Sequence, residues 1–291
     1  MSRMTDSTMT DNRQSMLLWG FAVLLFILGG LVIWRITAPR PETTVEMVLM
    51  GDSLHALGRG GDAVADRLAE ELQVRILNAA LGGTSMARLD CEKWMDHTMD
   101  NMSMVSLSKA ILTGDYSVQK QAGIKASATE YFDEVIFELE KVDFGKVHIL
   151  LLGYGMNDYH SGIPIEPQKT IGNIGTEYSF AGALRTVLGD LKSEYPTLRI
   201  ILMSPTFSWY LSTGRMCDEQ DWGGGLLEQY VLSEQEIAAE YGVEFIDLYH
   251  GLYEHNTFED WEKYTVDGVH PNETGKALMT DVIRSYLEEH P

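Results

Sequence analysis

The residues in this sequence whose types and placement suit chemistry are Ser53, Asn157, Asp267 and His270, with a glycine at position 83. Together they fill every role that acyl transfer at neutral pH requires: a nucleophile, a base to take its proton, a group that orients the base, and donors for the developing oxyanion. Ser53 stands in Gly51-Asp52-Ser53-Leu54, directly after an apolar run, on the strand-to-loop turn that exposes a nucleophile. His270 offers an imidazole as general base. Asp267, three residues earlier, can fix its tautomer, and Pro271 disfavours helical geometry at His270 and keeps it on a loop. The backbone N–H groups of Ser53 and Gly83, with the Asn157 amide, make a three-donor oxyanion hole, and a glycine at 83 lets substrate come close.

These residues are far apart in the chain, so the elements between them must bring them together. Five short apolar runs, 45–50, 74–81, 147–152, 200–203 and 243–248, read as strands buried on both faces of a parallel sheet. Helical patterns alternate with them. Val64, Leu68 and Leu72 recur every four residues after Asp62, a candidate N-cap. Phe132, Val135, Ile136 and Leu139 follow the i, i+3, i+4, i+7 pattern, as do Met279, Val282, Ile283 and Tyr286. Such alternation predicts a doubly wound α/β sheet, in which ligands bind at the carboxyl ends of the strands. The segments Gly51–Leu54, 82–85 and 153–158 each follow a strand, and 267–272 comes later. Residues 86–145 exceed one crossover helix and are expected to carry extra helices over a sheet edge, with scope for a lid.

GDSL at 51–54, a glycine in NAALGGTS at 78–85, GMND at 155–158 and DGVH at 267–270 resemble, in order, the four sequence blocks of the SGNH/GDSL hydrolase superfamily. The resemblance covers essentially all of 45–290. It implies a flavodoxin-like three-layer α/β/α sandwich on a five-stranded parallel sheet, with esterase, lipase or carbohydrate O-acetyl esterase activity that needs no metal. Carried over by position, Ser53 is the nucleophile, Asp267 and His270 complete the triad, and Ser53, Gly83 and Asn157 hold the oxyanion. The second block departs from the pattern. Ala80 stands where the family often has glycine, and adjacent Gly82 and Gly83 leave the donor's register open by one residue.

Other readings compete. Gly83-Thr84-Ser85-Met86-Ala87 resembles a nucleophile elbow, which makes Ser85 the rival nucleophile. Asp52 and Asp158 read as structural partners within their loops, and Gly153 and Gly155 as turn formers. Asp267 and His270 lack further ligands at metal spacing, so no metal or other cofactor is expected. Ser106-Leu107-Ser108-Lys109 fits S-x-x-K without its companion motifs, and Gly58, Gly60 and Gly61 lack the Lys of a phosphate loop. Trp94, Met95, Thr98, Met99 and Met102 form a stripe suited to helical packing or to an adaptable acyl wall. Phe207, Trp209 and Tyr210 follow the fourth strand and could line the cleft. Cys91 and Cys217 could pair in an oxidising compartment.

Composition bounds the function. Of 291 residues, 43 are acidic and 22 basic, for a formal charge of −21, which repels phosphate backbones and argues against nucleic-acid binding. Two cysteines exclude a disulfide-built scaffold. Residues 16–34 are uncharged and proline-free, about 28 Å long as a helix against a hydrocarbon core of about 30 Å. Trp19 and Trp34 stand near the ends of this run, as interfacial indoles do, and Arg35 follows where a cleaved signal would need a small-residue site. The expected order is a tail over 1–15, a transmembrane anchor over 16–36, a linker over 37–44 and a catalytic domain over 45–291. The short tail favours an extracytoplasmic domain. The expected function is hydrolysis of carboxylic esters, O-acetyl groups on cell-surface carbohydrate in particular. An O-acyltransferase acting on sugar hydroxyls, a lipase or lysophospholipase, and a noncatalytic glycan-binding module are the alternatives.

Overall fold

β1 (Met47–Gly51) is buried at all five positions, as expected for a strand with a neighbour on each edge and helices on each face. In the computed structural model, which describes residues 45–89, 100–123, 131–167 and 176–291, it pairs in parallel with β2 (Ile76–Asn78) and β3 (Ile149–Gly153). β4 (Arg199–Met203) extends the sheet. β5 (Trp209–Tyr210) and β6 (Arg215–Met216) form a separate antiparallel hairpin, and β7 (Glu244–Ile246) closes the far edge of the main sheet. The five-stranded order is β2-β1-β3-β4-β7, all parallel. That is the doubly wound arrangement with a switch point between β1 and β3, where the chain leaves the sheet in opposite directions.

The helices are α1 (Ser53–Ala56), α2 (Val64–Leu72), α3 (Met104–Thr113), α4 (Ser117–Gly123), α5 (Phe132–Leu139), α6 (Met156–His160), α7 (Phe180–Glu194), α8 (Leu227–Tyr241), α9 (Trp261–Tyr264) and α10 (Glu273–Glu289). α2 packs against α10, and α7 packs against α3 and α8, which makes two layers. Val48, Leu49, Leu150, Leu151, Ile201 and Leu202 fill the sheet between them with essentially no exposure.

Several local expectations are corrected. β2 is shorter than 74–81, because the Asn78 side chain takes the Ala80 N–H at 3.1 Å and breaks the ladder. Ala79 and Leu81 still donate to Leu49 and Gly51, so the segment follows β1 to its end. Asp62 does not cap α2: the helix begins after Ala63 without a side-chain cap, and Asp62 instead pairs with Lys276 of α10 at 2.9 Å. On α10 the buried stripe is Met279, Ile283 and Leu287, whereas Val282 is exposed, because the helix meets α2 on a rotated face. Of the 86–145 segment, α3 packs against α7 and α4 against α5 among the described residues. The anchor over 16–36, Cys91, and Trp94, Met95, Thr98 and Met99 fall outside the described residues; Met102 is buried. Among the described residues no helix is long and apolar enough to cross a membrane.

Candidate active site

The turn after β1 is set by Asp52. Its Oδ1 accepts the Leu54 N–H at 2.9 Å and caps α1, which places Ser53 at the first helical position with its side chain only partly covered. Asp52 itself is buried. Burial is the main cause that raises its carboxyl to about 7, helped by nearby Asp158 and opposed by the Leu54 bond. Two residues beyond Ser53, His55 turns inward, and burial alone lowers its imidazole to about 4, so it is neutral in the fold. Its ring occupies the space left by Gly51 and Gly153, which face each other across β1 and β3; a Cβ on Gly153 would stand 2.2 Å from His55 Nε2. Gly153 is therefore a packing residue rather than a turn former. Sequence reasoning does not single out His55, although the paired strand-end glycines are its signal.

The other half of the site is a tight loop before α10. Val266 N–H donates to His270 O at 2.8 Å, and Thr265 bridges to Pro271. Within this loop Asp267 Oδ1 accepts the backbone N–H of Val269 at 3.0 Å and of His270 at 2.8 Å. Asp267 Oδ2 lies 2.7 Å from His270 Nδ1, and His270 Nε2 lies 3.0 Å from Ser53 Oγ. A carboxylate only accepts, so the Nδ1 proton faces Asp267 and Nε2 is left to accept from the hydroxyl. Partial burial works against ionisation of Asp267, but the bonds from the His270 ring and from the His270 and Val269 N–H groups outweigh it and lower its pKa.

Gly83 and Asn157 meet Ser53 from the ends of β2 and β3. Gly83 adopts φ +76°, in the left-handed region that favours glycine. Among the described residues, the N–H groups of Ser53 and Gly83 donate to no protein acceptor. Asn157, in the first turn of α6, gives one amide hydrogen to Thr84 O at 2.8 Å and keeps a second. Asp158 binds the same segment with both oxygens, accepting from Met86 N–H at 2.8 Å and Ala87 N–H at 2.9 Å. It is fully buried, and burial raises its carboxyl to about 6 against the pull of those N–H groups. Ser85, the rival nucleophile, is buried and donates its hydroxyl to Ala87 O at 2.6 Å. It braces the loop and does not face the cavity.

Ser53, Gly82, Gly83, Asn157, Asp267 and His270 all line one cavity of about 790 Å³, within the usual range for small-molecule sites. Ala56, Leu57, Gly58, Tyr131 and Val266 complete its walls, and among the described residues no lysine or arginine lines it. Among the described residues Tyr131 is the contribution of the 86–145 segment. Phe207, in the loop before β5, and Trp209, in β5, are buried packing residues, whereas the Tyr210 hydroxyl reaches His160 Nε2 at 3.0 Å. Among the described residues no group of three or more His, Cys, Asp or Glu is placed to hold a metal.

A sequence model of the GDSL-like lipase/acylhydrolase family matches residues 49–278, which contain every one of these site residues. The chain belongs to the GDSL-like lipase/acylhydrolase family. As a member it is an ester-hydrolysing enzyme. Solved structures share the fold of this acylhydrolase at low identity. A Lactobacillus plantarum protein is 19% identical with TM-score 0.59, covering 86% of this chain and 99% of its own. A possible lipase from Chitinophaga pinensis is 15% identical with TM-score 0.53, covering 84% and 97%. A GDSL-like lipase from Bacteroides thetaiotaomicron is 12% identical with TM-score 0.50, covering 89% and 96%. No curated protein matches the chain.

Proposed function

We propose that this acylhydrolase cleaves carboxylic esters through a Ser53–His270–Asp267 triad. The observation that carries the reading is the continuous chain Ser53 Oγ–His270 Nε2 at 3.0 Å and His270 Nδ1–Asp267 Oδ2 at 2.7 Å. Ser53 Oγ attacks the ester carbonyl carbon while His270 Nε2 takes its proton, and Asp267 stabilises the imidazolium. The carbonyl oxygen becomes an oxyanion held by the N–H groups of Ser53 and Gly83 and by the remaining Asn157 amide hydrogen. As the tetrahedral species collapses, the C–O bond to the alcohol breaks and His270 gives that oxygen the proton. Water then loses a proton to His270, attacks the acyl-enzyme, and restores Ser53 with release of the acid.

Hydrolysis is favoured over transfer to a sugar hydroxyl because water reaches the site: the side chains of His270 and Asp267 are 31% and 49% exposed. The preferred substrates are neutral O-acyl groups, O-acetyl above all, on cell-surface carbohydrate. A cavity with no basic wall residue among the described residues, on a chain of charge −21, supports a neutral ester over a polyanionic one. The apolar run within 16–36 supports attachment to a membrane. A fluorophosphonate probe tests the nucleophile: mass spectrometry is expected to find the adduct on Ser53. An adduct on Ser85, or none on any serine, contradicts the assignment.

A further inference from the structure

Beyond His270 lies a cluster of aromatic rings that the triad chemistry leaves unused. Trp209 N–H donates to Gly268 O at 2.7 Å, which ties the β5–β6 hairpin to the loop carrying Asp267 and His270. The next residue, Tyr210, bonds through its hydroxyl to His160 Nε2 at 3.0 Å. His160 follows Asn157 by three positions on α6, so both side chains share one face of that helix. Trp222 completes the group. Its ring meets Tyr210 edge-on at 5.5 Å and His160 edge-on at 6.4 Å, and Tyr210 meets His160 at 5.4 Å. Tyr210 is buried and His160 half-buried, whereas Trp222 is 38% exposed. A large indole held in place by two rings while open to solvent is an available stacking surface.

The Trp209–Gly268 bond and α6, which carries both Asn157 and His160, set the cluster beside the reacting groups. The His160 imidazole is lowered to about 4, mainly by burial and then by the proximity of His270. His160 is therefore neutral, and it adds hydrogen-bonding capacity without adding charge. In the mechanism above, His270 returns its proton to the departing alcohol, so the alcohol half of the ester leaves on the His270 side.

We infer that Trp222, with Tyr210 and His160 behind it, is the subsite for the alcohol half of the ester, and that this half is a neutral sugar ring. A pyranose presents a C–H face that stacks on indole and hydroxyls that bond to polar groups around it. No arginine or lysine belongs to the cluster, so nothing in it selects a phosphorylated or carboxylated alcohol. The inference rests on the proposed triad, which fixes the side from which the alcohol departs.

The test compares acetyl esters that differ only in the alcohol: methyl 6-O-acetyl-α-D-glucopyranoside, ethyl acetate and n-octyl acetate. The full chain is assayed as wild type, Trp222→Ala and Trp222→Phe, with thermal melting as the folding control. The ratio of kcat/KM for the glucoside ester to that for ethyl acetate is expected to fall about tenfold in Trp222→Ala, mostly through KM, and to recover largely in Trp222→Phe. An unchanged ratio, or an equal fall on both esters, overturns the subsite. A ratio to ethyl acetate that responds for n-octyl acetate and not for the glucoside overturns the sugar assignment in favour of a lipid alcohol. Saturation-transfer NMR with methyl α-D-glucopyranoside needs no turnover. Ring-proton signals present with wild type and lost with Trp222→Ala support the subsite, and their absence with wild type overturns it. A wild type that binds the glucoside but cleaves none of the esters counts against the proposed hydrolysis and not against the subsite.

Discussion

Asp267 grips His270 at two points. One carboxylate oxygen takes the backbone N–H of His270 at 2.8 Å and the other meets the ring Nδ1 at 2.7 Å, so a single side chain sets both the loop and the tautomer. Asparagine separates the two jobs. Its carbonyl oxygen can keep the backbone bonds, but its amide cannot accept from Nδ1–H. Asp267→Asn is expected to lower kcat by about 10²–10⁴-fold with little change in melting temperature. Asp267→Ala loses both contacts and is expected to lower the melting temperature as well. Full activity in Asp267→Asn would show that the Nδ1 contact does not matter to turnover.

Asp158 does for the oxyanion segment what Asp267 does for the base. Its two oxygens hold the N–H groups of Met86 and Ala87, and neighbouring Asn157 holds Thr84 O, so consecutive residues clamp the loop that carries Gly83. Asp158→Asn retains one carbonyl acceptor and leaves a buried N–H unpaired, a cost of about 1–3 kcal/mol. Steady-state kinetics should show the loss in kcat more than in KM, and urea unfolding should show reduced stability. A variant with wild-type kcat would mean that the clamp does not position the oxyanion donors.

Asp52 makes stability depend on pH in a defined direction. Its carboxyl is raised by burial from 3.8 to about 7 in the fold, so between those values the folded state holds a proton that the unfolded chain has released. Its contribution is full below about 3.8 and is lost as pH rises through about 7. Asp52→Asn removes this titration and retains the oxygen that caps α1. The variant should match wild type near pH 4 and then gain on it by about 1.4 kcal/mol for each step of one in pH, levelling off above about pH 7. His55 runs the other way: its stability is present above 6.5 and lost as pH falls through about 4. That contribution is common to both proteins and cancels in the comparison. Parallel stability–pH curves would refute the raised carboxyl.

The packing of His55 against Gly153 predicts a coupled pair. Gly153→Ala puts a methyl group 2.2 Å from His55 Nε2, and the ring must move within the turn that presents Ser53. The expected loss is about 1–3 kcal/mol of stability, with lower activity. In His55→Ala the space is open, so adding Gly153→Ala should cost much less than it does alone. Chemical denaturation of the four proteins in a double-mutant cycle measures this, and simple additivity would contradict the packing.

Much of this site is legible in the sequence because the carboxyl ends of parallel strands lie together at one end of the sheet. The runs before Gly51, Gly82 and Gly153 are recognisable as apolar, β-branched stretches, and the polar residues that follow them fall at one cavity. What escapes the sequence is decided by contacts between distant segments. Asp62 has the type and place of a helix cap, but Lys276 offers it a partner from another helix. His55 reads as an ordinary polar residue, and only two glycines on adjacent strands make room for its ring. Ser85 carries an elbow-like motif, but the turn at Ala87 takes its hydroxyl. Trp222 and His160 carry no local signature, because their significance lies in proximity to a loop far away in the chain.

The most direct test of the central claim is hydrolysis of p-nitrophenyl acetate by the full chain as wild type, Ser53→Ala and Ser85→Ala. Turnover by wild type and by Ser85→Ala is expected, with a loss of several powers of ten in Ser53→Ala. Turnover that survives in Ser53→Ala and vanishes in Ser85→Ala would contradict it.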